Sequence, residues 1–255
     1  MEQFQAYVIC TSPRSGSTLL CRLLRNTEIA GFPESHFHDP SISEWLGYYG
    51  LKPEEFGERK DALNAVFSAA YETGKGRTGI FGMRLQRHSF SFFVEQLNVL
   101  HPTLSTDRSR IEAAVGKTLF IHLTRKNKLE QAISYVKAQQ SGLWHMAPDG
   151  TELERLSEPK EPTYDYQAIV TQLARFVEMD KEWSAWFAAE QIEPLRVTYD
   201  DLSADPHATL ARVLEALGID HAPTDEVAVP VAKLADATNR DWADRFRAEA
   251  TDLDI

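Results

Sequence analysis

The chain has 255 residues, of which 43% are hydrophobic and 25% charged, the make-up of a globular protein able to bury one α/β core. A formal net charge of −11 argues against nucleic acid or an anionic membrane as a main partner. No run approaches the roughly eighteen apolar residues of a membrane span, and no basic stretch followed by an apolar run opens the chain, so a cytoplasmic location is expected.

Read in chain order, Ala6-Tyr7-Val8-Ile9-Cys10 is a short apolar run ahead of a polar loop, the pattern of a buried strand over residues 7–10. Thr11 to Ser17 form a turn containing Gly16, and Leu19, Leu20, Leu23 and Leu24 follow at helical spacing. Residues 31–53 read as loop, with prolines at 33, 40 and 53. A helix is predicted over 61–72, a strand over 79–85, and a further strand over 117–123 that ends on Thr124-Arg125. A helix over 127–140 comes next, then a polar excursion from 145 to 162. A long amphipathic helix carries Ile169, Leu173, Phe176, Val177, Trp183 and Phe187. The last predicted elements are a strand at 195–199 and a helix over 206–217. Strands alternating with helices imply a parallel sheet covered on both faces, with ligands at the carboxyl ends of the strands. Without repeats or linkers, residues 1–255 are expected to form a single domain. Cys10 and Cys21 belong to no metal-binding cluster and are expected as reduced, buried thiols.

The turn from Ser12 through Pro13, Arg14, Ser15, Gly16 and Ser17 to Thr18 joins the end of a strand to the start of a helix. Helix N-termini leave backbone N–H groups unpaired and carry partial positive charge, which makes such a turn an anion site. Gly16 permits close approach, Ser15, Ser17 and Thr18 offer hydroxyls, and Arg14 supplies full charge. In a Walker A loop a lysine follows the second glycine; here Ser17 follows Gly16, and the cation precedes it by two positions. The 117–123 strand ends in Thr124-Arg125, which suits a second anion better than a metal. A kinase or GTPase is disfavoured.

These residues resemble the 5′-phosphosulfate loop of sulfotransferases, in particular of the bacterial trehalose-2-sulfotransferase-like family. Arg125 and Ser134, nine residues apart, match that family's 3′-phosphate motif. Further matches are 138–144, 197–202, and 233–247 with Thr238-Asn239-Arg240-Asp241-Trp242. The resemblance implies a P-loop-like three-layer sandwich with a central parallel sheet. It implies an enzyme that moves a sulfuryl group, without a metal, from 3′-phosphoadenosine-5′-phosphosulfate (PAPS) to a hydroxyl of a small acceptor. The acceptor would be a carbohydrate such as trehalose or a related sugar, and 3′-phosphoadenosine-5′-phosphate (PAP) the product. A homodimer is compatible with it.

On that resemblance Arg14 takes the 5′-phosphate and bridging oxygen, and Ser12 to Thr18 cradle the phosphosulfate. Arg125 and Ser134 grip the 3′-phosphate, and Arg240 closes over the nucleotide. Arg84 stands where the family usually has lysine, as an active-site cation, and Arg87 replaces an aromatic. The family's catalytic base is a glutamate in a segment that reads Gly31-Phe32-Pro33-Glu34-Ser35-His36-Phe37 here. Glu34 stands one position earlier than that carboxylate, Ser35 occupies its place, and His36 is a second candidate base. A catalytically silent nucleotide-binding protein on the same fold stays open as an alternative, with a P-loop kinase behind it.

Overall fold

The computed structural model describes residues 4–219, 224–229 and 237–252. In chain order the elements are β1 (Ala6–Thr11), α1 (Ser17–Asn26), α2 (Ile42–Tyr48), α3 (Arg59–Lys75), β2 (Phe81–Gln86), α4 (Arg87–Leu100), α5 (Asp107–Val115) and β3 (Thr118–Thr124). There follow α6 (Lys128–Ser141), β4 (Leu143–Met146), β5 (Glu152–Arg155), α7 (Tyr166–Ala189), β6 (Leu195–Thr198), α8 (Tyr199–Ala204), α9 (Pro206–Ala216) and α10 (Ala237–Asp252). Four strands form an all-parallel sheet in the order β2-β1-β3-β6.

The two-residue period of β1 sorts its side chains onto opposite faces. Ala6, Val8 and Cys10 pack with α2, α3, α4 and α5 and with Trp183 and Phe187 of α7. Tyr7 and Ile9 pack with Leu20, Leu23 and Leu24 of α1, with Leu202 of α8 and with Leu210 and Val213 of α9. Both faces are therefore covered, which gives the expected three layers. Every residue of β1 is buried, as a central parallel strand requires. Trp183 is fully buried and donates from Nε1 to Thr11 O at 2.9 Å, tying α7 to the carboxyl end of β1. Cys10 and Cys21 are free and buried. Among the described residues no helix is long and apolar enough to cross a membrane.

β1 lies between β2 and β3, so the chain runs outward from β1 to β2 and then crosses back to β3. That reversal opens a crevice at the carboxyl ends of β1 and β3. One further segment matters there. Glu34 bridges in parallel to Met83, and Arg84 N donates to Glu34 O at 3.0 Å, so residues near 34 extend the sheet beside β2.

The structure departs from the sequence reading in three places. The loop-rich stretch 31–53 contains α2, whose N-terminus is capped when the Ser41 hydroxyl accepts from Glu44 N. Residues 87–115 form α4 and α5, with Phe90, Phe93, Leu97 and Leu100 buried at helical spacing. The polar excursion holds an antiparallel hairpin, β4 and β5, which turns through Asp149 and Gly150.

Candidate active site

β1 ends at Thr11, and the loop enters α1 through Gly16, whose φ of 86° lies in the left-handed region. A Cβ at Gly16 would lie 2.6 Å from Cδ2 of Tyr199, so both backbone and space call for glycine. No side chain caps α1, and its first turn holds no acidic residue. Its N–H groups and dipole are left for an anion. Gly16, Ser17, Thr18 and Leu19 line a cavity of about 500 Å³, within the usual range for a small-molecule site.

The loop is braced from behind. Thr11 Oγ1 donates to Leu123 O at 2.8 Å and meets Ser15 Oγ at 2.5 Å. Gln131 of α6 donates from Nε2 to Ser12 Oγ at 3.0 Å and to Pro13 O at 2.6 Å. The side chains of Ser12 and Ser15, both expected in the phosphosulfate cradle, are fully buried and face these bracing partners. Pro13, Arg14, Gly16, Ser17 and Thr18 do line the cavity.

Four arginines reach the same cavity: Arg14, Arg84, Arg125 and Arg175. Arg14 has a φ of 61°, a conformation that costs a non-glycine residue about 1–3 kcal/mol. Its guanidinium is held by Ser134 Oγ at 3.0 Å from Nε and by Trp144 O at 2.5 Å from NH1. Burial first, and then the charge of Arg125, lower its pKa to about 10. It stays protonated at neutral pH, in a position that an anion would relieve. Arg125 leaves β3, is 5% exposed, pairs with Glu130 at 2.7 Å and lies 4.5 Å from the centre of the Tyr199 ring. Arg84 of β2 crosses the mouth of α1, donating to Thr18 Oγ1 at 2.9 Å and to Ser17 Oγ at 3.4 Å, while its Nε donates to Ser35 Oγ at 2.7 Å.

Neither carboxylate nor imidazole of the 31–37 segment lies on the cavity. Because 34 pairs with the sheet edge, side chains alternate there: Ser35 turns to Arg84, and Glu34 turns away. Glu34 sits on Arg25 at 3.0 Å with about half of each side chain exposed (53% and 51% for Arg25 and Glu34). His36 is buried, with Nδ1 2.9 Å from Tyr49 Oη and its ring stacked on Phe81. Neither of these two candidate bases therefore lines the cavity. Arg240 lies exposed on α10 and does not line the cavity; residues 233–236 of its sequence block are outside the described residues. Arg87 packs against Phe90 and Trp183 and pairs with Glu182, also away from the cavity.

Several lining residues escaped the sequence reading. The hairpin supplies Trp144, His145 and Glu154; the other side supplies His38, Gln86 and His88. Gln86 ends β2, where an α/β sheet presents its ligands, and that position was a usable signal. Asp149-Gly150 is a hairpin turn signal whose partner strands are too short to stand out.

A parallel sheet, with an uncapped helix N-terminus and clustered arginines at one crevice, defines a P-loop-like α/β protein. The model of the Stf0 sulphotransferase family matches residues 6–249, and the chain belongs to that family; it is an enzyme, a sulfotransferase. It is 28% identical to the trehalose 2-sulfotransferase of Mycobacterium tuberculosis (strain ATCC 35801 / TMC 107 / Erdman), across 98% of this chain and 97% of that one. It is 29% identical to the trehalose 2-sulfotransferase of Mycolicibacterium smegmatis (strain ATCC 700084 / mc(2)155), across 96% and 95%. Among solved structures, a sulfotransferase from Alicyclobacillus acidocaldarius aligns over 98% of this chain and 93% of its own, with a TM-score of 0.41 and 15% identity.

Proposed function

We propose that the enzyme binds PAPS without a metal ion and transfers its sulfuryl group in line to a hydroxyl of a small carbohydrate. The observation that carries this reading is the convergence of Arg14, Arg84 and Arg125 on the uncapped start of α1 in one cavity. The 5′-phosphosulfate lies on the loop and the first turn of α1, with Arg84 spanning it. Arg125 and Ser134 hold the 3′-phosphate. Arg14, bonded to Ser134, stands between the two anionic ends and neutralises charge at the 5′-phosphate as it leaves. Sulfuryl transfer needs positioning and charge stabilisation more than covalent chemistry from the protein. Backbone amides and three guanidiniums supply both.

The acceptor enters from the side lined by His38, Gln86, His88 and Arg175. The near full-length likeness to two trehalose 2-sulfotransferases supports a sugar there. Incubation with ³⁵S-labelled PAPS and a panel of trehalose, glucose, maltose and sucrose tests the reading. A labelled sulfated sugar is expected with EDTA present. Transfer that requires added Mg²⁺, or transfer of phosphate from ATP, would overturn it.

A further inference from the structure

Glu34 and His36 lie off the cavity, which leaves open which group takes the proton of the acceptor hydroxyl. Four cavity-lining side chains have the chemistry for it: His38, His88, His145 and Glu154. His38 and His88 meet edge to face, with ring centres 5.0 Å apart. No hydrogen bond joins either to the phosphate loop among the described residues. His145 differs. Its Nε2 lies 3.0 Å from Thr18 Oγ1, at the first turn of α1. Glu154, its cross-strand partner in the hairpin, has Oε2 3.4 Å from the same nitrogen.

Resting on the PAPS reading, we infer that His145, backed by Glu154, is the proton acceptor for the attacking hydroxyl. Thr18 Oγ1 accepts from Arg84 and lies 3.0 Å from Nε2, so the ring is tied to the first turn of α1 through the same hydroxyl that Arg84 holds. That contact sets Nε2 beside the first turn of α1, and in the transfer Nε2 turns its lone pair from Thr18 to the incoming hydroxyl. In the transfer, the acceptor oxygen forms its bond to sulfur as sulfur's bond to the 5′-phosphate oxygen breaks. The leaving electron pair stays on PAP, and the hydroxyl proton passes to Nε2. Sulfur keeps its oxidation state. Glu154 then faces the imidazolium, which releases its proton to water.

The electrostatics fit an imidazole set by its co-substrate. Burial first, then Arg14, Arg84 and Arg22, lower the pKa of His145 to about 3, so it is neutral in the free enzyme. The facing groups are Arg14 from the loop, Arg22 from α1, Arg84 from β2 and Glu154 from β5. The donor's phosphates neutralise Arg14 and Arg84 and raise the basicity of Nε2 while the sulfuryl group is in place. The base is thus weak until the donor has bound.

The test uses the full chain and the variants His145→Gln and Glu154→Gln. PAPS turnover is followed with trehalose and, separately, with water as acceptor, alongside PAP calorimetry and NMR titration of the His145 ring protons. Expected are a loss of about 10²–10⁴ in kcat for His145→Gln, a smaller loss for Glu154→Gln, and PAP Kd values within about twofold of wild type. Saturation with PAP should move the His145 titration upward by a unit or more, and imidazole should partly restore His145→Ala. Wild-type kcat in His145→Gln, or a titration that PAP leaves unmoved, overturns the inference. Equal losses of PAP affinity and turnover would mark the residue as structural and overturn it too. A wild-type enzyme that fails to bind PAP sinks the donor reading itself, and the role of His145 with it.

Discussion

The Nε of Arg14 donates to the hydroxyl of Ser134 at 3.0 Å, joining the loop of residues 12–18 to α6 across 120 residues of chain. Sequence motifs assign these two residues to opposite ends of a nucleotide, yet here they form one unit. The link also holds Arg14 in its left-handed conformation. Ser134→Ala should therefore weaken PAP binding by more than the loss of one phosphate contact. Loss of a hydrogen bond to a charged group costs about 1.5–3 kcal/mol. A double-mutant cycle with Arg14→Ala, read by calorimetry, should give a coupling of about 0.5–3 kcal/mol. Additive losses would mean the two residues act separately.

Arg125 is nearly buried, and its ring contact with Tyr199 fixes where its charge points. Arg125→Ala should weaken PAP by about ten- to a hundredfold and 5′-AMP by little, since only PAP carries the 3′-phosphate. Equal losses for both nucleotides would move Arg125 off the 3′-phosphate.

Glu34→Gln should leave kcat within about twofold of wild type. Its carboxylate faces Arg25 at the surface, and exposed pairs of this kind contribute only about 0–1 kcal/mol. Steady-state assays of the variant with PAPS and trehalose, or with water as acceptor, decide the matter. A loss of orders of magnitude would return the base to residue 34.

Much of the fold was legible because apolar periodicity is strong in β1, α1, β3 and α7, whose buried faces are those expected from sequence. The loop was legible for the same reason: a strand, a glycine and a helix at fixed spacing leave little choice. Glu34 lies off the cavity because of a single-residue step in an extended segment. There, one step turns a side chain to the opposite face, so Ser35 meets Arg84 while Glu34 does not. The hairpin was missed because both strands are only four residues long, β5 is polar, and their value is tertiary: they carry His145 and Glu154 over a loop more than 120 positions earlier in the chain.

Acid should destabilise the protein early. Burial lowers the pKa of His36 to about 4 and that of His145 to about 3, and lowers those of His88 and His122 as well. Between these values and the ordinary histidine value near 6.5, the unfolded chain binds protons that the folded one does not. Stability is thus full above about pH 6.5 and falls as pH drops toward 4, by about 1.4 kcal/mol per pH unit for each of His36 and His145, with His88 and His122 acting in the same direction. Thermal melts at pH 7.5, 6 and 5 should show the decline, and His36→Gln should make it shallower. A Tm that is flat over this range would contradict the buried, neutral state of these rings.

The most direct measurement of the donor reading is a calorimetric titration of the full chain with PAP in EDTA, set against ATP with Mg²⁺. Arginines and an uncapped helix start, with Arg125 and Ser134 as the proposed 3′-phosphate site, predict metal-independent PAP binding at least about tenfold tighter, or ~1.4 kcal/mol. ATP with Mg²⁺ binding as tightly as PAP, or PAP binding that vanishes in EDTA, would contradict it.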